Sequence, residues 1–423
     1  MSEELRPRSR RAMRTPTIAR HGRLKKSNPF ATITRFLAAT LAVLMVSGAS
    51  VAAIAAYDLA SSIKPSITLA GDADGKGAKI PQIGAWEGGV NVLLVGSDSR
   101  KGQDPIFGGE DETGDLNDVT MLLHISADHS NATVVSFPRD TFVPIPSCPD
   151  PSDPESPFAS MSSQKINTTL TYGGLPCTVL TVEELTGLDI PYAAEVQFSG
   201  VIAMSTAVGG VPVCVGARIE DEYTGLFLDP GEHMLEGWNA LQFLRTRHGV
   251  GDGSDLTRIS NQQVFLSSLM RTVKSADTLT NPAKLYSLAK AALTNITLSD
   301  NLQNVDNMVA MAMALKDIPL DQIKFVQYPT GAVEGGVAPD YEAADALFAA
   351  LAADQPIELG GDTGGSLIDP NAPVEAAPAD PNAAVDPNAP VAPESSGPVV
   401  LDGVKGQSAG QYTCSDGRTL EDQ

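Results

Sequence analysis

An uncharged apolar run divides this chain into two segments of opposite charge. From Phe36 to Tyr57 there is no charged residue, and Ala, Val, Leu and Ile predominate. A helix needs about 20 apolar residues to cross the hydrocarbon core of a membrane. Residues 1–35 contain ten of the 29 Lys and Arg side chains but only two of the 51 acidic ones. The rest of the chain is therefore strongly acidic. The simplest interpretation is that a membrane separates the two segments.

The basic flank also predicts the orientation. Positively charged residues beside a membrane span remain in the cytoplasm. We therefore predict a cytoplasmic segment over 1–35, a single transmembrane helix over 36–57 and an extracytoplasmic domain on the cell membrane. A cleavable signal peptide is the alternative, because small residues suited to cleavage occur near Ala53 and Ala56. The basic flank is interpreted as a topology signal, so no nucleic acid partner is expected.

Strand and helix patterns alternate between residues 89 and 354, which predicts one α/β (α+β) layered sandwich. Its central mixed β-sheet would be flanked by helices. Strand-like runs occur in 91–100, 118–126, 132–137, 211–215 and 324–329, and a strand passes into an apolar helix over 195–210. Helical patterns cover 177–187, 238–248, 254–273, 281–294, 302–316 and 341–354.

Two further segments differ from this domain in composition. Residues 58–88 are polar and contain Gly and Lys, which predicts a linker. Between Pro356 and Pro398 there are nine prolines, and the motif DPNA recurs at 369–372, 380–383 and 386–389. This composition predicts an acidic, Pro/Ala/Asp-rich disordered tail over 355–423.

The chain has four cysteines, which fit an oxidising exterior and permit two disulfides in three pairings. No Cys/His spacing is typical of a zinc site. Because Cys414 lies in the predicted tail, we expect one disulfide among Cys148, Cys177 and Cys214. The sequence leaves the pairing open.

Arginines stand at the ends of several predicted elements. They are Arg100, Arg139, Arg245, Arg247 and Arg258. The planar guanidinium group binds phosphate oxygens in pairs and stays charged at any working pH. One such arginine is most often a surface ion-pair partner, but several at element ends predict a pocket for two linked phosphates.

Helical spacing places Asp255, Arg258 and Gln262 on one face of the helix over 254–273. Asp255 also suits the N-cap of that helix. Arg245 and Arg247 would point to different sides of a regular helix, so we predict that the preceding helix loosens over 246–248.

Two acidic residues stand at strand boundaries. Asp98 follows the first predicted strand, and Asp118 opens the second. Two such carboxylates could hold one Mg²⁺ or Mn²⁺ ion, because hard cations prefer oxygen ligands. Each residue is also common in turns and caps.

Taken together, these motifs resemble the LytR-CpsA-Psr family of cell-wall glycopolymer ligases. The matching pieces, in the family's order, are VLLVGSDSR, DVTMLLHIS, VVSFPRDTFVPIP, KINTTLTYGG, GGVPVCV and LEGWNALQFLRTRHGVGDGSDLTRISNQQ. They cover about residues 90–275. The most specific piece is Arg-x-Arg-His followed by Asp-x-x-Arg-x-x-x-Gln.

The resemblance implies a phosphotransferase with a polyprenyl-pyrophosphate-linked glycan as donor and peptidoglycan as acceptor. By matching position, Asp98 and Asp118 look like the metal pair. Arg100, Arg139, Arg245, Arg247, Arg258 and Gln262 look like the pyrophosphate site, with Lys165, Asn167 and Asp140 in support. Asp140 and Asp255 are both candidates for the catalytic base. The apolar helix over 198–208 either lines a lipid tunnel or forms ordinary core.

One position departs from the family pattern, which usually has Arg–Gln where this chain has Asn261–Gln262. Asn261 lies one step off the Arg258–Gln262 face, so we expect activity to be retained. A polyprenyl-pyrophosphate hydrolase and a non-catalytic envelope receptor are the alternative functions. The sequence does not identify the glycopolymer, the lipid length or the preferred metal.

Overall fold

The computed structural model describes residues 29–69, 89–107, 115–153, 155–275, 278, 280–303, 305–369, 372 and 397–423. The chain divides into two compact units, Met1–Tyr57 and Asp58–Gln423. In the first unit the described residues belong to helix α1 (Pro29–Ser61). Its segment Thr32–Ser61 is long and apolar enough to cross a membrane. This is consistent with a membrane anchor, although a signal sequence has the same length and composition.

The second unit contains the remaining elements. The helices are α2 (Thr169–Thr186), α3 (Phe198–Val208), α4 (Gly237–Arg245), α5 (Asp255–Lys274), α6 (Pro282–Asn295), α7 (Val305–Asp317) and α8 (Tyr341–Ala352). The strands are β1 (Val90–Ser97), β2 (Asn117–Ile125), β3 (Ala132–Phe137), β4 (Phe142–Ile145), β5 (Met161–Lys165), β6 (Tyr192–Val196), β7 (Val211–Val215), β8 (Ile219–Asp221), β9 (Leu226–Leu228), β10 (Gly231–Leu235), β11 (Ile296–Leu298), β12 (Ile323–Gln327), β13 (Thr330–Val333), β14 (Gly336–Pro339), β15 (Ile357–Leu359), β16 (Leu367–Ile368), β17 (Val399–Leu401), β18 (Gly406–Ser408) and β19 (Thr413–Ser415). Every predicted strand and helix corresponds to one of these elements.

A mixed sheet forms the centre of the second unit. Within the described residues it has seven strands in the order β11-β6-β1-β2-β3-β12-β18. β1 pairs antiparallel with β2 and parallel with β6, while β3 pairs parallel with β12. Side chains alternate between the two faces of a strand. Leu93 therefore packs in a core with α2 and α8, and Val92 packs in a second core with α6 and α7. The layered sandwich predicted from the sequence is confirmed.

The predicted disordered tail is wrong for the described residues 355–369 and 397–423. They supply β15 to β19, and β18 extends the central sheet. β19 enters a second sheet, in the order β10-β7-β19-β16, and this sheet shares a hydrophobic core with α4 and α5. Sequence composition misled the prediction because apolar groups such as Leu401 and Val404, which are buried, flank the proline-rich repeats. The repeats at 380–383 and 386–389 lie outside the described residues.

Two disulfides bond the second unit. Cys148 pairs with Cys177, within the set expected from the sequence. Cys214 pairs with Cys414, so the expectation that Cys414 stands apart is wrong. Cys414 is brought to Cys214 by the parallel register of β19 and β7.

The predicted linker over 58–88 is also partly ordered. Residues 58–61 complete α1, Ile67 forms a β-bridge with Ser299, and Leu69 is buried. The stretch 70–88 lies outside the described residues.

Candidate active site

A cavity of about 420 Å³ lies where β1 and β2 meet helices α3, α4 and α5. The apolar residues of its lining, which we call the apolar wall, are Leu94, Val119, Met121, Val196, Phe198, Val201, Leu241, Leu244 and Leu266. The polar and charged residues, which we call the polar wall, include Asp118, Arg139, Arg245, Arg247 and Arg258. A cavity that combines arginines with apolar side chains suits an amphipathic anion.

Arg139 lies directly after β3 and is anchored by acidic neighbours. Its Nη1 is 2.5 Å from Oδ1 of Asp118, which stands in the adjacent strand β2. Its Nε is 3.7 Å from both Asp140 and Asp255. Burial alone would lower the pKa of Arg139, but the charge and hydrogen bond of Asp118 raise it, with help from Asp255 and Asp140. The guanidinium group is therefore held charged and oriented.

Asp255 connects Arg139 with helix α5. Its Oδ2 accepts a hydrogen bond from the backbone N–H of Arg139 at 3.0 Å, and its Oδ1 is 2.6 Å from Nη2 of Arg258. This ion pair follows the predicted spacing of three residues along the helix. The N-cap prediction for Asp255 is wrong, because Ser254 caps the helix by accepting from the backbone N–H of Thr257. Asp255 occupies the first helical position and is free to bind arginine.

Two guanidinium N–H groups at the cavity have no hydrogen-bond acceptor among the described residues. They are Nε of Arg139 and Nε of Arg258, and both atoms are buried. Nη2 of Arg258 does donate, to the backbone oxygen of Asp118 at 2.7 Å. Buried polar groups are nearly always hydrogen-bonded in native proteins. Nε of Arg139 does lie 3.7 Å from the carboxylates of Asp140 and Asp255, so it is ion-paired although not hydrogen-bonded.

Arg245 and Arg247 both reach the cavity because α4 ends between them. The helix stops at Arg245, and Thr246 has φ −57° and ψ 133°, so the predicted loosening is confirmed. Arg245 lies 4.5 Å above the ring of Phe198, and burial lowers the pKa of its guanidinium. Arg247 is fixed by a 2.9 Å hydrogen bond from its Nε to the oxygen of Gly253.

Gln262 and Asn261 both donate to carbonyl groups near the end of α4, but only Gln262 lines the cavity. Gln262 lines the cavity and donates to the oxygen of Leu244 at 3.0 Å. Asn261 is 2% exposed and donates to the oxygen of Phe243 at 2.8 Å. It therefore contacts the protein core and not the cavity, which agrees with its predicted position off the Arg258–Gln262 face.

Lys165, Asp140 and Asn167 form a supporting group behind Arg139 and do not line the cavity. Nζ of Lys165 is 2.7 Å from Oδ1 of Asp140. Burial opposes ionisation of Asp140, but the hydrogen bond from Lys165 and the charge of Arg139 lower its pKa. The backbone N–H of Asn167 donates to the oxygen of Arg139 at 3.2 Å.

Asp98 and Arg100 stand beyond β1, next to the cavity wall. Burial raises the pKa of Asp98, the hydrogen bond from the Leu116 N–H opposes this, and the negative charge of Asp118 raises it further. The carboxylates of Asp98 and Asp118 therefore repel each other at one edge of the cavity. Paired carboxylate oxygens fit a hard divalent cation by donor type and charge. Arg100 interacts electrostatically with Asp98 and with Arg245.

Six polar residues that line the cavity were not predicted as site residues. They are Ser97, Gln197, Asp221, Tyr223, Thr224 and His248. Asp221 and Tyr223 stand at the β8–β9 turn, in a stretch with no arginine or other recognisable signal. His248 follows Arg247 within the quoted Arg-x-Arg-His motif, and its proximity to Arg247 was the one available clue.

The layered fold and the arginine-lined cavity define a class of site suited by its charge to an anion. Residues 56–350 match the model of the LytR_cpsA_psr family, and the chain belongs to this family. The chain is 29% identical over 315 residues to the cell wall biosynthesis protein LcpA of Corynebacterium glutamicum, covering 69% of this chain and 58% of LcpA. It is 26% identical over 266 residues to the polyisoprenyl-teichoic acid–peptidoglycan teichoic acid transferase TagT of Bacillus subtilis, covering 62% of this chain and 76% of TagT.

A solved structure of a LytR-Csp2A-Psr enzyme from Actinomyces oris has the same fold. Its TM-score is 0.50 at 21% sequence identity, and the match covers 68% of this chain and 96% of that structure. At this identity the similarity concerns the fold alone.

Proposed function

We propose that this chain is a membrane-anchored phosphotransferase that moves a glycopolymer from a polyprenyl-pyrophosphate carrier to a sugar hydroxyl of peptidoglycan. The names of LcpA and TagT support a role in cell-wall assembly. The amphipathic cavity supports a donor with a lipid chain and two phosphates. The basic segment 1–35 before α1 supports a cytoplasmic N-terminus and an extracytoplasmic catalytic domain.

The single observation that carries this proposal is the convergence of Arg139, Arg245, Arg247 and Arg258 on a cavity that is also lined by apolar side chains. Phosphate oxygens would accept from the guanidinium groups while the prenyl chain contacts Phe198, Leu244 and Leu266. A receptor for a purely apolar ligand would have no use for four arginines in its cavity.

The reaction needs positioning and charge stabilisation more than covalent help from the protein. The acceptor hydroxyl oxygen attacks the phosphorus next to the glycan, and its proton passes to the leaving phosphate. The bond from that phosphorus to the bridging oxygen breaks, and its electron pair leaves with polyprenyl monophosphate. Arg139, Arg247 and Arg258 would stabilise the charge on the phosphate oxygens.

Asp98 and Asp118 would hold a Mg²⁺ or Mn²⁺ ion in this proposal. When bound, the cation supplies positive charge that offsets the mutual repulsion of the two carboxylates and the charge of the pyrophosphate. One carboxylate oxygen of Asp118 would then bind the cation, and the other would remain bonded to Arg139. Arg100, beside Asp98, would add a further positive charge at this edge.

We assign Asp140 and Asp255 to orienting arginines. Both contact Arg139, and Asp255 also contacts Arg258, whereas neither lines the cavity. Lys165 holds Asp140, and the backbone of Asn167 holds that of Arg139. The sequence-based choice between Asp140 and Asp255 as catalytic base is therefore replaced by a shared role in orienting arginines.

The test uses the purified full chain in lipid nanodiscs, a donor labelled in its glycan, and insoluble peptidoglycan. We expect label to become covalently attached to the peptidoglycan with the wild-type chain. Arg139→Ala should reduce the transfer rate by about 10²-fold or more, because a preorganised donor to the developing charge is lost.

The matched control is Arg218→Ala, which removes an arginine that is 54% exposed in its side chain and lies outside the cavity. Its transfer rate should equal that of the wild type. Label released only into solution would identify a hydrolase. Donor left intact by the wild-type chain, with and without added Mg²⁺, would contradict an enzymatic function.

A further inference from the structure

Next to the phosphate-binding arginines, the polar wall carries an aromatic pair with no role in the phosphate site. The rings of Tyr223 and His248 lie with centroids 4.5 Å apart and an interplanar angle of 36°. Both line the cavity, yet Tyr223 is 82% exposed. A large aromatic group held so far into solvent beside a binding cavity has surface available for a ligand.

The position of this pair is fixed by Asp221, which is fully buried. Its Oδ1 accepts from the backbone N–H groups of Tyr223 and Thr224 at 2.9 and 3.1 Å. Its Oδ2 accepts from Oγ1 of Thr246 at 2.6 Å and from the backbone N–H of Arg247 at 3.3 Å. One carboxylate thus ties the aromatic turn to the backbone of a cavity arginine, so the ring pair and the arginine keep a set distance.

A hydroxyl group beside the pair is left without a partner. Oγ1 of Thr224 is buried and makes no hydrogen bond within the described part of the chain, and Thr224 lines the cavity. A flat aromatic face next to an unsatisfied hydroxyl matches a sugar ring. The C–H face of the sugar packs on the aromatic surface, and a sugar hydroxyl pairs with the polar group.

We propose that Tyr223, His248 and Thr224 form the subsite for the acceptor sugar, an inference that rests on the proposed transferase function. In an in-line displacement the attacking hydroxyl approaches the phosphorus opposite the leaving group. The leaving group carries the prenyl chain and belongs with the apolar residues around Phe198 and Leu244. The acceptor therefore needs a different part of the lining, and Tyr223 and His248, which Asp221 ties to Arg247, provide one.

The test compares Tyr223→Ala with Tyr223→Phe in the full chain in nanodiscs. The acceptor is a soluble peptidoglycan fragment, and the donor is a labelled polyprenyl-pyrophosphate glycan. Tyr223→Ala should raise KM for the acceptor about tenfold, the value of one aromatic stacking contact. KM for the donor should change less than KM for the acceptor. Tyr223→Phe keeps the ring and should restore most of the acceptor affinity that Tyr223→Ala loses.

The matched control is Phe227→Ala, which removes another exposed aromatic residue from the same hairpin. Phe227 is 52% exposed, stands in β9 and does not line the cavity. Its kinetic constants should equal those of the wild type. The thermal midpoints of all three variants should also match, since both side chains are exposed.

Two results would overturn the assignment. An unchanged acceptor KM in Tyr223→Ala would show that Tyr223 does not bind the acceptor sugar. A raised donor KM would show that the ring pair binds the sugar or lipid of the donor instead. Calorimetric binding of the soluble fragment to the chain without donor separates this inference from the proposed function. If the wild type binds the fragment and Tyr223→Ala does not, the acceptor subsite is supported even if the chain shows no transfer activity.

Discussion

Ser415 donates a 2.5 Å hydrogen bond from its Oγ to Oδ1 of Asn261. This bond joins strand β19, close to the end of the described chain, to the helix that carries Arg258 and Gln262. Backbone hydrogen bonds continue the connection, from Gly251 N–H to the oxygen of Asp416 and from Arg418 N–H to the oxygen of Gly249. The segment 415–418 therefore braces the loop between α4 and α5, which supports the arginines of the site.

Ser415→Ala should destabilise the second unit by about 1–3 kcal/mol, because it leaves Oδ1 of buried Asn261 without a donor. Chemical denaturation followed by circular dichroism measures the change. Ser163→Ala, at an exposed serine of β5, is the control and should leave the midpoint in place. Equal midpoints for the two variants would mean that the bond to Asn261 adds no net stability.

The two disulfides should contribute unequally to stability. Cys148–Cys177 closes a loop of 29 residues and Cys214–Cys414 one of 200. Loss of loop-closure entropy in the unfolded chain predicts about 3.5 and about 5 kcal/mol, respectively. Paired Cys→Ser variants, compared in the same denaturant series, give the order. A larger loss on removing Cys148–Cys177 would contradict the entropic argument.

Asp255→Asn should lower both stability and activity, because Arg258 is 5% exposed and Asp255 is its nearest carboxylate. Removing one partner of a buried ion pair costs about 3–5 kcal/mol. The double variant Asp255→Asn/Arg258→Met should recover stability but not transfer activity. Recovery of activity in that double variant would show that Arg258 is not needed for phosphate binding.

Asp98→Asn should raise the thermal midpoint in the absence of divalent cations. Burial and the charge of Asp118 raise the pKa of Asp98, so the folded state retains this proton more readily than the unfolded chain. At pH 7 the carboxylate is ionised, and its charge therefore works against folding. Mg²⁺ should stabilise the wild type by a few degrees but not Asp98→Asn. Equal stabilisation of both proteins by Mg²⁺ would place the cation elsewhere.

Acid should destabilise the second unit through His124. Burial lowers the pKa of His124, and the charge of Asp354 offsets this only in part. Below the ordinary His value of about 6.5 the unfolded chain binds a proton that the folded state resists. Stability from this group is therefore complete above that pH and is lost as the pH falls toward the lowered pKa, at up to about 1.4 kcal/mol per unit.

Denaturation midpoints between pH 5 and 8 test this for the wild type, His124→Asn and the control His233→Asn. The His124 variant should show a smaller loss at the acid end, while the His233 variant should follow the wild type. Parallel curves for all three proteins would show that His124 does not cause the loss of stability in acid.

The fold was largely predictable from local pattern. Alternation in β1 and β2 and the glycine stop after α2 are local signals, and Gly187 indeed ends α2 with φ 70°. The arginines of the site were predictable for the same reason, since each lies at an element end. Their convergence on one cavity wall depends on strand order, which local pattern does not specify.

The C-terminal strands could not be predicted because their partners are distant in the chain. β19 is only three residues long, and it is positioned by pairing with β7. The paired residues Cys214 and Cys414 are 200 positions apart in the chain. Gly417 shows how close the fit is, since a Cβ there would lie 1.9 Å from the oxygen of Ala217. Tyr223 and Asp221 were missed similarly, because their proximity to Arg247 arises only from tertiary packing.

The aromatic rings beside Arg245 give this chain an optical reporter. The indole of Trp238 lies 5.7 Å from the ring of Phe107, which lies 5.6 Å from Phe198, the ring beneath the Arg245 guanidinium. A molecule that draws Arg245 away from Phe198 would change the packing of these three rings and therefore the emission spectrum of Trp238. With Trp86 replaced by Phe, Trp238 becomes the sole indole fluorophore, and occupancy of the cavity can be followed without any label.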